Sequence, residues 1–88
     1  MYKLVDIISA QIIKEFQVHL IFEDGTEGII DLEHHLEGSA LEPLRRDRRL
    51  FESMRVDPQA GTIVWDNGAD IAQDTLYDEI KTMSVTPA

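Results

Sequence analysis

From Phe16 to Phe22 every second side chain is large and apolar. Phe16, Val18, Leu20 and Phe22 point one way, and Gln17, His19, Ile21 and Glu23 point the other. A helix would scatter the first four around its circumference, whereas a strand lines them along one side, so the segment is a half-buried β-strand. Glu23-Asp24-Gly25-Thr26 follows at once. Asp-Gly between two extended runs is the composition of a tight hairpin turn. Glu27 to Leu32 then returns antiparallel, with Gly28, Ile30 and Leu32 on one face and Ile29 and Asp31 on the other. Leu4 to Ile13 carries Val5, Ile7, Ile8, Ile12 and Ile13 and supplies the first strand of a meander, bent near Ser9-Ala10. Its apolar residues fall on both parities, which predicts either a central strand covered on two sides or a bulge.

The second organised stretch is Phe51 to Tyr77. Met54 and Val56 alternate with Arg55 and Asp57, and Ile63 and Trp65 alternate with Thr62 and Val64, so each arm of a second hairpin has one apolar face. Pro58-Gln59-Ala60-Gly61 supplies the reversal. Trp65, the one tryptophan, is expected over the core, where truncating it costs about 3–5 kcal/mol out of the roughly 5–15 kcal/mol of a typical domain. Asn67-Gly68 makes a further turn, after which Asp70 or Asp74 caps a final helix that faces the sheet with Leu76, Tyr77, Ile80 and Met83.

Between these stretches the pattern is compact. Glu33 to Glu37 forms one helical turn that Gly38-Ser39 ends, and Leu41-Glu42-Pro43-Leu44 is a turn or a helix start, since proline suits only the first helical turn. Asp47 caps a short helix with Leu50, Phe51 and Met54 on one stripe. The predicted fold class is α+β: a small antiparallel sheet of about five strands, meander plus hairpin, with two or three short helices on one face. At 88 residues the chain is read as one domain over 1–84 and a frayed tail over 85–88.

Composition narrows the function classes. Cysteine is absent, which removes disulfides and thiolate zinc sites. No apolar run approaches the roughly 20 residues of a membrane span, and MYKLVDII lacks the layout of a secretion signal, so the chain is expected to be soluble and cytoplasmic. The net charge of −9, from 17 acidic and 8 basic residues, repels a phosphate backbone and favours basic partners. The same charge also serves solubility.

Several landmarks occur in a recognisable order: Phe22-Glu23-Asp24-Gly25, Ile30-Asp31-Leu32, Leu41-Glu42-Pro43-Leu44, Phe51 with Val56, Ile63-Val64-Trp65-Asp66-Asn67-Gly68-Ala69-Asp70-Ile71, and Asp74-Thr75-Leu76-Tyr77. In order and spacing they resemble a bacterial family of small proteins catalogued as domain of unknown function 2442, over nearly the whole chain from about Val5 to Tyr77. The segment from Trp65 through Asn67-Gly68 to Asp70-Ile71 is its most specific part. The resemblance implies an α+β domain on an antiparallel sheet, no established catalytic activity, and a gene lying beside that of another small protein in a toxin–antitoxin-like arrangement. Some relatives add a helix-turn-helix domain; with the sequence ending at Ala88, that domain's DNA binding is not expected here. Asp66 and Gln73 stand where many members have proline, which implies a looser turn and a looser start to the last helix.

Candidate chemistry is sparse. His34-His35, flanked by Glu33 and Glu37, invites a metal, but neighbouring helical residues point about 100° apart and His19, the other histidine, lies on a distant strand, so neither a metal nor any cofactor is expected. Asp66 to Asp74 is rich in oxygen donors, yet its glycine falls third where an EF-hand loop needs it sixth. No nucleophile elbow, phosphate-binding glycine loop or general acid–base pair occurs, so catalysis is not expected. The charge distribution is the one departure from a bland surface. Arg45, Arg46, Arg48, Arg49 and Arg55 are five of the eight basic residues. Either they neutralise the protein's own carboxylates or they form one basic edge for a partner. The sequence therefore predicts an interaction module that docks a small basic protein, encoded next door, or forms a homodimer. The other reading is a nucleic-acid-binding accessory domain using Arg45 to Arg55.

Overall fold

β2 (Gln17–Phe22) and β3 (Glu27–Asp31) form the hairpin that their alternation dictates, with Val18 opposite Ile30 and Leu20 opposite Gly28. Gly25 turns the chain at φ +88°, and its amide donates to the Phe22 carbonyl at 3.0 Å. This computed structural model describes residues 4–84, so the expected tail at 85–88 lies outside the described residues. β1 (Ile7–Lys14) pairs antiparallel with the other side of β2, giving the order β1-β2-β3.

β1 is thus an edge strand, and the alternative of a central strand covered on both faces is corrected. The register slips between Ile7 and Ser9 and again between Ile12 and Lys14. Each irregularity adds a residue with no partner across the ladder, Ile8 and Ile13, which is why apolar residues occupy both parities. Ile8 is 59% exposed and Ile13 48%.

The inner face of the meander carries Val18, Leu20, Phe22, Ile30 and, just beyond β3, Leu32, all fully buried. α3 (Gln73–Ser84) covers this face with Leu76 and Ile80. Gly28 permits the close approach, since a Cβ there would lie 3.1 Å from Ile80 Cγ2. Met83 is 59% exposed and does not join Leu76 and Ile80 against the sheet. By rotation it shares their stripe, so what its turn lacks is a surface beneath it. Nor does an aspartate cap this helix: Asp70 is bridged to Val64, and Asp74 lies inside the first turn, accepting from the Thr75 amide. Gln73 is buried, and its amide nitrogen donates to Asp6 Oδ1 and to the Ala60 carbonyl, which ties down the start of α3 without proline.

A 3-10 turn (Leu32–His35) follows β3, its first amides served by Asp31, whose Oδ1 accepts from Glu33 N at 2.9 Å. Gly38, at φ +87°, reverses the chain and opens α1 (Gly38–Arg46) instead of ending a helix there. Pro43 therefore stands inside α1 and forgoes the bond an amide would make to Ser39. Complete burial of Leu44, with Leu41 packed against the core, favours the helix despite that loss. Asp47 caps α2 (Arg48–Glu52) by accepting from Leu50 N, and Phe51 enters the core while Leu50 and Met54 flank it.

β4 (Arg55–Asp57) and β5 (Thr62–Val64) form the second hairpin, separate from the meander, so five strands divide into two sheets. Ile7 N donates to the Gly61 carbonyl at 2.9 Å and stitches the hairpin to β1. Thr62 is buried, not solvent-facing, because its hydroxyl donates to the Ile71 carbonyl. Trp65 is buried in the same cluster as Val18, Leu20 and Phe22.

Candidate functional site

Four of the five arginines are paired with the protein's own oxygen atoms. Arg45 Nη2 donates to the Glu33 carbonyl at 2.7 Å, Arg46 pairs with Glu42 at 2.7 Å, and Arg55 pairs with Asp66 at 2.8 Å. Arg48 pairs with Glu52 at 3.1 Å, donates to the Glu15 carbonyl, and lies 5.1 Å from the centre of the Phe51 ring. Only Arg49 has no ion-pair or hydrogen-bond partner among the described residues. Exposed pairs of this kind contribute little stability, but they satisfy the cations locally.

The outer face of the meander has a different character. In cross-strand register it presents Ser9, Ile21 and Glu27, then Gln11, His19 and Ile29, then Lys14, Gln17 and Asp31. Ile8 and Ile13 add to it, and Ile29 is 48% exposed. Among the described residues of the meander and its turns, Glu15, Glu23, Glu27 and Asp31 are exposed carboxylates and Lys14 is the one amine. His19 Nε2 and Glu27 Oε1 are 2.9 Å apart on this face. At its margin a shallow cavity of about 280 Å³ is lined by Asp6, Ile7, Ile8, Glu23, Val56 and Pro58, with no imidazole or nucleophile in its wall.

A third constellation joins the His34-His35 pair, from which the sequence predicts no metal site, to a partner the sequence does not indicate. His19 is not a neighbour of His34-His35; the group that joins them is Glu79, from α3. His34 Nε2 and His35 Nε2 lie 3.0 and 2.9 Å from the same Glu79 Oε1. Partial burial pushes the Glu79 carboxyl up, but the hydrogen bonds and charge of His34 and His35 outweigh it and hold it below its ordinary value. The one sequence signal was weak: Glu79 sits beside Ile80 at the margin of the buried stripe of α3.

The landmark residues after the second hairpin are a structural lock. Gly68, at φ +85°, donates to the Trp65 carbonyl at 3.0 Å, and Trp65 N donates to the Ala69 carbonyl at 2.9 Å. Asn67 Oδ1 accepts from Ala69 N, and its Nδ2 donates to the Ala40 carbonyl at 2.9 Å, joining this turn to α1. A family model described as "Protein of unknown function (DUF2442)" matches residues 7–82. The chain belongs to this family. The DUF2442 match begins with β1 and runs through almost all of α3, so the uncovered sheet face, the arginines and the His34–His35–Glu79 cluster all lie inside the family's unit. No curated protein and no solved structure matches this DUF2442 chain. No helix among its described residues is long and apolar enough to cross a membrane.

Proposed function

We propose that the chain is a cytoplasmic protein–protein interaction module whose outer meander face docks a small basic protein. One observation carries the reading: Ile8, Ile13 and Ile29 stand exposed on one sheet face, rimmed by carboxylates, in a chain of net charge −9. Burying apolar surface at about 25 cal/mol per Å² supplies the affinity, and the carboxylates select and steer a cationic partner. The face is a better dock than the edge. β1 is broken by two register irregularities and Ile7 N is already engaged, both of which blunt strand addition.

A basic protein encoded beside this chain, as in a toxin–antitoxin-like pair, is the expected occupant. The two proteins expressed together should co-purify at low salt, and the complex should form more slowly as salt rises. Ile29→Arg, which adds a like charge opposite the partner, should abolish the complex while leaving the circular dichroism spectrum unchanged. Failure to co-purify at low salt, or self-association of the chain alone through this face, contradicts the reading.

Nucleic-acid binding has less behind it. Phosphates would have to displace Glu42, Glu52 and Asp66 from their arginines, against the field of the whole chain.

A further inference from the structure

We propose that His34, His35 and Glu79 bind one divalent transition-metal ion of borderline softness, zinc above all, through two imidazole nitrogens and one carboxylate oxygen. The donor set is the first argument. Imidazole with carboxylate suits zinc, nickel or copper, whereas magnesium and calcium take oxygen donors alone.

Geometry is the second. The three donor atoms lie within 4.8 Å of one another. A tetrahedral zinc with bonds of about 2.0–2.1 Å holds its ligands about 3.3 Å apart. The two nitrogen–oxygen separations, 3.0 and 2.9 Å, need to open by only a few tenths of an ångström to admit the ion. Both imidazoles now aim the same atom, Nε2, at one carboxylate oxygen, so an ion entering there would replace two hydrogen bonds with three coordinate bonds.

Preorganisation is the third. Adjacent residues on a helical turn diverge, yet these two converge, because fully buried Leu32 and Leu36 pin both ends of their turn. On the facing helix, buried Leu76 and Ile80 bracket Glu79. The ligands therefore come from two platforms, 45 and 44 residues apart in sequence, that the core holds in register. His34 is exposed and His35 half-buried, so an ion there is reached from solvent and keeps a fourth position open to water or to a donor from another molecule. The site is separate from the proposed docking face, where His19 is paired with Glu27.

The test is calorimetric titration of the full chain with zinc chloride, with cobalt(II) absorption as a second readout. One ion per chain is expected, together with the visible spectrum of four-coordinate cobalt. His35→Ala should weaken binding by more than about tenfold, and His19→Ala should leave it unchanged. Glu79→Gln separates a metal site from a hydrogen-bonded clamp and guards against a folding defect in His35→Ala: glutamine can still accept from the imidazoles, so the fold should persist while zinc affinity falls. No saturable binding, equal binding by wild type and Glu79→Gln, or loss of binding on His19→Ala would each overturn the proposal.

Discussion

Trp65 donates its indole Nε1–H to the backbone carbonyl of Phe51 at 2.9 Å, with both residues out of contact with water. This one bond joins the second hairpin to the end of α2, and the ring of Phe51 in turn meets Phe16 edge-on at 5.1 Å. The path runs from the meander's first turn through α2 to the hairpin. Trp65→Ala should therefore cost about 3–5 kcal/mol, as removal of a large buried aromatic does. Trp65→Phe keeps much of the volume and removes one bond from the Phe51 carbonyl, which the Met54 amide still serves at 3.2 Å, and should cost about 0.5–1.5 kcal/mol. Urea denaturation of both variants measures this; a tryptophan-to-phenylalanine change without effect would show that the bond is dispensable.

Gly61 and Gly25 both take positive φ, +74° and +88°, yet they should respond differently to alanine. A Cβ at Gly61 would fall 2.4 Å from Asp6 Oδ1 and 2.9 Å from the Gln73 amide nitrogen, whereas nothing lies within 4 Å at Gly25. Gly25→Ala carries the backbone strain alone, about 1–3 kcal/mol. Gly61→Ala carries that strain and also breaks the contact that holds the start of α3. Thermal unfolding should show the larger loss for Gly61→Ala.

Tyr77 donates its hydroxyl to Asp24 Oδ2 at 2.6 Å, linking α3 to the first hairpin turn. That bond, with those from the Thr26 amide and side chain and the nearby charge of Lys81, holds the Asp24 carboxyl below its ordinary value of 3.8 against the opposing effect of desolvation. Because the folded pKa lies below the unfolded one, the stabilisation is present above the unfolded pKa and disappears as pH falls through the folded one. In a carboxyl-detected NMR titration, Tyr77→Phe should move the Asp24 midpoint upward, toward 3.8. An unmoved midpoint would mean that the phenol does not set it.

Ile8 and Ile29 are exposed, so replacing both with threonine should change stability by no more than about 0.5 kcal/mol each. Partner binding should nevertheless fall, since the same side chains become buried only in the complex. A pair of variants that unfold the chain would assign these residues to the core instead.

What the sequence made legible follows from how local each determinant is. The β2–β3 hairpin was readable because a period-two pattern and an Asp-Gly turn lie within a few residues of each other. Asp47 was readable as a cap for the same reason. β1 was ambiguous because two bulge residues mimic the signature of a buried strand. Pro43 is expected near a helix start because the rule counts the lost hydrogen bond and not the burial of its neighbour Leu44. The aspartate expected to cap α3 is instead held by Val64, a pairing set by the second hairpin's geometry. Glu79 meets His34 and His35 only because α3 packs across β3, and no pattern of adjacent residues encodes that crossing.

The central claim is that the outer face of β1, β2 and β3 is the docking surface. Its most direct test is an amide and methyl NMR titration of the labelled chain with the purified basic protein encoded beside it. The claim predicts shifts concentrated at Ile8, Ile13, His19, Ile21 and Ile29, weakening as salt rises. Shifts concentrated instead at Arg45, Arg46, Arg48, Arg49 and Arg55, with the isoleucines unmoved, would contradict it.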